Sequence, residues 1–215
     1  MAKYVSINEA LDLVKSGDYI VTGLGAAEGR EFMTNLHTIA DRVKDVMVSN
    51  CLPMGAYEFI ANPAYKDSFT TEGWFYTPLL RKAQANGNVS FIPNHLHLAA
   101  TKRLCYRTPD IYVGIASMPD KHGYVSLSTS NTYEMKMIKA AKTVILEINP
   151  NAPRTFGDVQ LHLDDVDYVV EVDYPMPELA DAEPNEKDLA IGKIIAGMIN
   201  DGDCIQLGIG GMPNT

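Results

Sequence analysis

A glycine-rich loop near the end of the chain has the strongest chemical character in the sequence. Residues 208–213 read Gly-Ile-Gly-Gly-Met-Pro and follow a short apolar stretch that predicts a buried strand. Glycines let a ligand approach the backbone closely, and Pro213 suits the first turn of a following helix, whose free N–H groups attract phosphates and oxyanions. We predict an anionic ligand here, and the alternative is a tight turn without a ligand. The candidate binding residues are Gly208, Ile209, Gly210, Gly211 and Met212.

Gln206 is the candidate for a polar side-chain contact to the same ligand. It stands between Ile205 and Leu207, at the carboxyl end of the predicted strand. Ligands of open α/β sheets bind outside the carboxyl ends of the strands. A glutamine on the surface or at a subunit contact is the alternative interpretation.

The segment that leads into this loop occurs twice in the chain. Residues 17–25 read Gly-Asp-Tyr-Ile-Val-Thr-Gly-Leu-Gly, and residues 202–210 read Gly-Asp-Cys-Ile-Gln-Leu-Gly-Ile-Gly, with five of the nine positions identical. Each copy predicts a turn, a short buried strand and a glycine-rich loop. The first loop, with Gly23, Gly25 and Gly29, has the spacing GxGxxxG, one residue longer than a dinucleotide fingerprint. Its spacing therefore favours a structural turn.

Other site chemistries have little support in the sequence. His95 and His97 are two residues apart without a nearby third ligand, so we predict no metal site. The three cysteines, Cys51, Cys105 and Cys204, are widely spaced and form no CxxC pair, which is typical of reduced thiols in a cytosolic protein. No Gly-x-Ser-x-Gly, HExxH or Walker sequence occurs.

The overall composition is that of a globular protein of the cytoplasm. The formal net charge is −9, with 46% hydrophobic and 21% charged residues. Nucleic acids and anionic membranes are bound by basic surfaces, so neither is an expected partner. The sequence contains no apolar run of the length of a membrane span and no signal-peptide pattern at its N-terminus.

The order of predicted elements indicates an α/β fold with a doubly wound, mainly parallel sheet. Short apolar runs such as 111–116 and 143–148 predict strands buried on both faces, and they alternate with helices such as 30–41 and 131–141. Residues 173–185 hold three prolines and four acids without periodicity, which predicts a linker. We therefore expect a first domain at 1–172, a linker at 173–185, and at 186–215 the opening helix, strand and loop of a second, similar domain.

Four motifs, in order, resemble the acetyl-CoA hydrolase/transferase family. They are residues 72–81 (Glu-Gly-Trp-Phe-Tyr-Thr-Pro-Leu-Leu-Arg), 117–124 (Ser-Met-Pro-Asp-Lys-His-Gly-Tyr), 148–158 (Ile-Asn-Pro-Asn-Ala-Pro-Arg-Thr-Phe-Gly-Asp) and 206–210 (Gln-Leu-Gly-Ile-Gly). The resemblance covers essentially the whole chain and is greatest to the 4-hydroxybutyrate and butyryl-CoA:acetate CoA-transferases. It implies a fold of the NagB/RpiA/CoA-transferase-like type, with two similar α/β domains in a longer, homo-oligomeric protein.

The resemblance also implies a function for the candidate loop. Coenzyme A would bind at residues 208–212, and the first loop, with Gly23 and Gly25, would face the same substrate pocket by pseudo-symmetry. The family's glutamate nucleophile would lie beyond residue 215, so we expect no catalytic residue in this chain and no transferase activity from it alone. The partners would be an acyl-CoA and a short-chain carboxylate. Acetate, propionate, butyrate, 4-hydroxybutyrate and succinate are all compatible with the sequence.

Three other functions remain open at this point. An acetyl-CoA hydrolase of the same family would admit water to the site. A split enzyme would receive its glutamate from a second polypeptide, although such a division is expected in a linker and not inside a strand-to-helix turn. A nucleotide-binding module without chemistry would use its glycine loops to bind a dinucleotide.

Overall fold

The computed structural model describes residues 2–178, 183–208 and 210–215. The chain divides into two compact units, residues 1–176 and residues 177–215. The division falls inside the segment that composition assigns to a linker.

The first unit alternates short strands and short helices. In chain order its strands are β1 (Lys3–Tyr4), β2 (Tyr19–Thr22), β3 (Val46–Asn50), β4 (Phe69–Gly73), β5 (Val89–Phe91), β6 (Ile111–Ala116), β7 (Tyr124–Ser126), β8 (Thr143–Ile148), β9 (Gln160–His162) and β10 (Tyr168–Glu171). Its α-helices are α1 (Ile7–Leu11), α2 (Arg30–Asn35), α3 (Glu58–Ala61), α4 (Pro78–Ala83), α5 (Ala99–Leu104) and α6 (Glu134–Ala140). Single 3-10 turns lie at Gly25–Ala27, Leu36–Ile39, Pro63–Tyr65, Gln84–Asn86, Leu96–Leu98 and Leu163–Asp165.

Within the described part of the chain, eight strands form one parallel sheet in the order β1-β10-β8-β6-β2-β3-β4-β5. The α/β, mainly parallel fold class is thus confirmed. From β2 the chain moves outward through β3, β4 and β5, and it then returns to the other side of β2 with β6. The pair β2–β6 is therefore the topological switch point, beside which open α/β sheets bind ligands.

Two apolar layers cover the two faces of the sheet. One cluster joins α1 to α4 through residues such as Leu11, Phe32 and Leu80, and it meets Ile20 and Val48 of the sheet. The other joins α5 and α6 through Ala99, Met137 and Ile138, and it meets Val21 and Leu146. Successive strand residues enter opposite layers because side chains alternate across a strand.

The helix boundaries follow local capping chemistry. Ser6 and Glu9 form a reciprocal capping box at the start of α1. The hydroxyl of Thr77 accepts from the N–H of Leu80, with Pro78 at the first helical position of α4. Local hydrogen bonds thus fix where both helices begin, and α1 ends at Leu11.

Two elements of the first unit lie outside the alternating pattern of strands and helices that the sequence predicts. Residues 124–126 do not join the main sheet and pair with β9 in a two-stranded antiparallel ribbon. The motif 117–124 explains the departure, because Asp120 accepts from the N–H groups of His122 and Tyr124 and turns the chain away from the sheet. Helix α5 was not predicted, since its six residues show no amphipathic repeat.

The described residues of the second unit, 177–178, 183–208 and 210–215, form one α-helix, α7 (Glu186–Ala196), and a 3-10 turn at Met212–Asn214. The strand predicted at residues 204–207 is not formed, because a strand needs a neighbour and no described segment of this unit runs beside it. Large apolar side chains among the described residues of this unit are exposed, namely Leu189, Ile191, Ile194, Ile195, Met198, Ile199, Ile205, Leu207 and Met212.

We predict that a chain ending at Met176 folds by itself. The buried clusters lie entirely within residues 1–176, so the truncated chain should unfold cooperatively at the same temperature as the 215-residue chain. Thermal unfolding followed by circular dichroism measures this. Loss of the cooperative transition in the shorter chain would contradict the assignment.

Candidate functional site

The glycine loop of the first unit follows β2 at the switch point. The N–H of Gly23 donates to the carbonyl of Val113 in β6, at 3.1 Å. A β-carbon on Gly23 would lie 2.1 Å from the carbonyl oxygen of Ala27, and Gly25 has a φ of +56°. Both glycines are buried, and the tight path of the loop's own backbone requires them.

Helix α2 begins directly after this loop, and its N-terminus holds a carboxylate from the protein itself. Glu147, in β8, accepts from the N–H of Phe32 through one oxygen, at 2.7 Å. Its other oxygen accepts from the N–H of Glu31 at 3.0 Å and from the Tyr174 hydroxyl at 2.6 Å. Helix N-termini attract anions because their first N–H groups lack partners within the helix. Here the anion is internal, so this end of α2 offers no free N–H at Glu31 or Phe32.

Complete burial raises the pKa of Glu147 to about 7, and the hydrogen bonds from Tyr174, Phe32 and Glu31 counteract part of that rise. The same burial, together with the nearby Glu147 carboxylate, raises the pKa of the Tyr174 hydroxyl far above its ordinary value. Tyr174 therefore stays a neutral donor to Glu147.

Residues 173–176 form a strap over the switch point. The carbonyl of Tyr174 accepts from the side-chain amide of Asn149 at 2.9 Å, and the guanidinium of Arg30 lies over the Tyr174 ring at 5.5 Å. Tyr174 and Met176 pack on a small buried cluster from the loops after β2 and β8 and the end of β6, namely Ala27, Ile115 and Ala152. The chain itself therefore fills the position where a switch-point ligand would lie in the first unit.

The glycine loop of the second unit has no such internal cover among the described residues. Gly208 is exposed and Gly210 has a φ of +137°. The N–H groups of Gly208, Gly210 and Gly211 donate to no residue that the structure describes. Of the predicted binding residues, Ile209 lies outside the described residues.

Gln206 is exposed and lines a concavity of about 370 Å³ together with Gly208 and Met212. The other walls come from helix α7, including Ile195, from Ile199 beyond its end, and from Pro213 and Thr215. The structure thus brings Gln206 to the same hollow as two of the loop residues. Their predicted role in binding coenzyme A stays a prediction.

Three of the family-like motifs hold the first unit together. Asp120 and Arg154, from the motifs at 117–124 and 148–158, form an ion pair with an N–O distance of 3.0 Å. In the motif 72–81, Glu72 is ion-paired with Arg103 of α5. The guanidinium of Arg103 also lies 5.0 Å from the centroid of the Tyr19 ring.

Metal and thiol chemistry find no support in the described residues. No group of three or more His, Cys, Asp or Glu side chains in 2–178, 183–208 and 210–215 is arranged to hold a metal ion. The rings of His95 and His97 stack on each other, 5.6 Å apart. Burial raises the pKa of the Cys51 thiol to about 12, so it is not a thiolate at neutral pH.

None of the helices in the described ranges combines the length and the apolar character that a membrane span needs.

Comparison with known proteins then decides the family. The sequence family described as the acetyl-CoA hydrolase/transferase N-terminal domain matches residues 1–179. The chain belongs to the acetyl-CoA hydrolase/transferase family. The family resemblance is thereby confirmed, and three of its four motifs lie within the matched residues.

Three curated relatives of this chain are named as CoA-transferases. It is 32% identical to succinyl-CoA:cyclohexane-1-carboxylate CoA transferase of Geobacter metallireducens, over 99% of this chain and 48% of the relative. It is 34% identical to a probable butyrate:acetyl-CoA coenzyme A-transferase of Syntrophomonas wolfei, over 100% of this chain and 48% of the relative. It is 30% identical to 4-hydroxybutyrate coenzyme A transferase of Clostridium kluyveri, over 99% of this chain and 50% of the relative. The chain spans about half the length of these relatives.

Solved structures of the family have the same fold. RipA from Yersinia pestis is 26% identical, with a TM-score of 0.91 over 99% of this chain and 52% of RipA. A 4-hydroxybutyrate CoA-transferase from Porphyromonas gingivalis is 26% identical, with a TM-score of 0.78 over 99% of this chain and 49% of that one.

The sequence did not identify the roles of Glu147, Tyr174 and the strap. The available signal was a single carboxylate, Glu147, inside the otherwise apolar run of residues 143–148. A charge in a strand buried on both faces requires partners, and those partners lie at residues 31, 32 and 174.

Glu147 predicts a characteristic dependence of stability on pH. Its folded-state pKa of about 7 lies above the ordinary 4.5, so the folded protein holds this proton more tightly than the unfolded chain. The stabilisation is fully present below pH 4.5 and is lost as the pH rises to 7. Relative to Glu147→Gln, the wild-type free energy of unfolding should fall by about 2–3 kcal/mol between about pH 5 and about pH 8.

Urea unfolding at a series of pH values measures this difference. The exposed Glu171→Gln, at the end of β10, is the matched control and should show no such trend relative to wild type. A wild-type–variant difference that is flat with pH would contradict the assignment.

Proposed function

We propose that these 215 residues are the N-terminal half of an acyl-CoA:carboxylate CoA-transferase that binds coenzyme A at residues 208–212. The contrast between the two glycine loops is the observation that carries this proposal. In the first loop's surroundings Glu147 and Tyr174 occupy the helix N-terminus and the switch point, whereas the loop at 208–212 keeps its described glycine N–H groups free of protein partners. We therefore assign the external anion to the second loop.

The proposed reaction is a double displacement at a glutamate in the region that the relatives carry beyond this chain's span. The carboxylate attacks the acyl-CoA thioester, which forms an acyl-glutamyl anhydride and releases the CoA thiolate. The thiolate attacks the glutamyl carbonyl, so the anhydride becomes a glutamyl-CoA thioester and the first acid leaves as a carboxylate. An incoming carboxylate then reverses these steps, takes the CoA and regenerates the glutamate.

Each displacement passes through a tetrahedral oxyanion, and the proposed task of the glycine loop is to hold CoA and the reacting carbonyl near backbone N–H donors. One such donor contributes about 3–4 kcal/mol to the transition state. The anhydride is reactive toward water, so the site must exclude it. A hydrolase of the same family would differ at this step. We further propose that the protein is cytoplasmic and a homo-oligomer, as the family resemblance implies.

The natural gene product that contains these residues should transfer CoA from butyryl-CoA to acetate, and the 215-residue chain alone should not. Incubated with butyryl-CoA in the absence of acceptor acid, the gene product should gain the mass of CoA less water, because the glutamyl-CoA thioester accumulates. Intact-mass spectrometry detects this species. Turnover by the 215-residue chain, or release of free CoA without transfer, would contradict the proposal, and the second result would indicate the hydrolase.

Gly210→Val in the gene product should weaken acyl-CoA binding. A φ of +137° is rarely adopted by L side chains, so the loop must change its path. We expect KM for acyl-CoA to rise about tenfold, equivalent to about 1.4 kcal/mol. Gly197→Ala is the matched control, since a β-carbon there meets nothing closer than 3.5 Å. An unchanged KM in Gly210→Val would remove residue 210 from the site.

A further inference from the structure

The sequence repeat relates the helix before the second glycine loop to the helix before the first. It aligns residues 17–25 with residues 202–210, and the same spacing aligns α1 and the turn after it with the end of α7 and the turn that follows. Three apolar residues of the first unit thereby correspond to three of the second: Ala10 to Ile195, Leu11 to Ala196 and Val14 to Ile199. The environment of the first three therefore indicates what the second three need.

In the first unit these three side chains are completely covered. Each is at most 1% exposed. Helix α1 packs on α2, and Phe32, Met33 and Leu36 lie in the same buried cluster as the three residues. Helix α2 begins directly after the first glycine loop. The helix that follows the loop thus covers the apolar face of the helix that precedes it.

In the second unit the corresponding face is open. Ile195 and Ile199 are 48% and 43% exposed, and with Ala196 they line the concavity of about 370 Å³ described above. Of its lining residues, only Gln206 and Thr215 have polar side chains, and none is charged. A phosphate or carboxylate would find no cation there, whereas apolar side chains gain free energy by filling the space.

We propose that this concavity is the docking site of a helix that follows the second glycine loop in the natural gene product, and that it is not a site for the acyl chain. The inference rests on the part of the proposed function by which these residues are half of a longer protein. The chain spans about half the length of its curated relatives, which leaves room for such a helix. The occupant should present apolar side chains with the spacing of Phe32, Met33 and Leu36.

Thiol labelling of Ile199→Cys tests this assignment. The variant is made in the 215-residue chain and in the natural gene product, and both are treated with a maleimide in the absence of CoA. Peptide mass spectrometry should find residue 199 modified readily in the 215-residue chain and roughly tenfold or more slowly in the gene product, where the helix covers it. Lys193→Cys is the matched control. It corresponds to the exposed Asn8, so its rate should be similar in both proteins.

Ile199→Ala is the second variant, and it tests the same contact without a reactive group. In the gene product it removes buried apolar atoms, so the unfolding transition that the 215-residue chain lacks should shift to lower temperature by several degrees. In the 215-residue chain the same change affects an exposed side chain and should leave the unfolding temperature unchanged.

Equal labelling of residue 199 in the two proteins would overturn the docking site, and so would an unchanged unfolding temperature of the Ile199→Ala gene product. Protection that appears in the gene product only when butyryl-CoA is added would also overturn it and would make the concavity part of the ligand site. Protection in a gene product that transfers no CoA would support the docking site and overturn the proposed transferase function.

Discussion

The buried carboxylate of Glu147 joins the parts of the first unit that meet at the carboxyl edge of its sheet. It binds the N-terminus of α2 to β8 and fixes the strap at 173–176 through the Tyr174 hydroxyl. A buried charge without partners is very unfavourable, so the loss of one of these hydrogen bonds weakens the others. The glycine loop after β2, the start of α2 and the exit of the chain from the first unit all depend on this one group.

This constraint explains why a repeated sequence can have two roles. The segments at 17–25 and 202–210 are alike in their glycines, but the fold gives them different surroundings. The first loop is buried, and the helix that follows it already holds an internal anion. The second loop belongs to a unit that exposes its apolar side chains and leaves its described glycine N–H groups without partners. In our account the first copy supports structure and the second copy binds the ligand.

Much of the fold was predictable because its determinants are local. Largely apolar short runs such as 111–116 and 143–148 favour strands buried on both faces, and Thr77 with Pro78 starts a helix by chemistry confined to one turn. The strand expected at 204–207 depends on a neighbour, which apolar character alone does not supply. The antiparallel ribbon of β7 depends on the turn at Asp120, and the sequence alone does not show that this turn takes the strand out of the main sheet.

The candidate site was predictable only where a motif is continuous in the chain. The glycine loop at 208–212 could be found from its composition, and its role is still a prediction. Glu147 acts on residues 31 and 32, more than a hundred positions earlier, and Glu28 acts on residues 50, 54 and 55. Such pairs arise from strand order, which a single sequence does not display.

Titration of the ¹⁵N-labelled 215-residue chain with CoA, followed by amide chemical shifts, tests the division of roles between the two loops most directly. Our account predicts shifts at Gly208, Gly210 and Gly211 and none at Gly23, Gly25 and Gly29. Shifts confined to the first loop, or equal shifts at both loops, would contradict it.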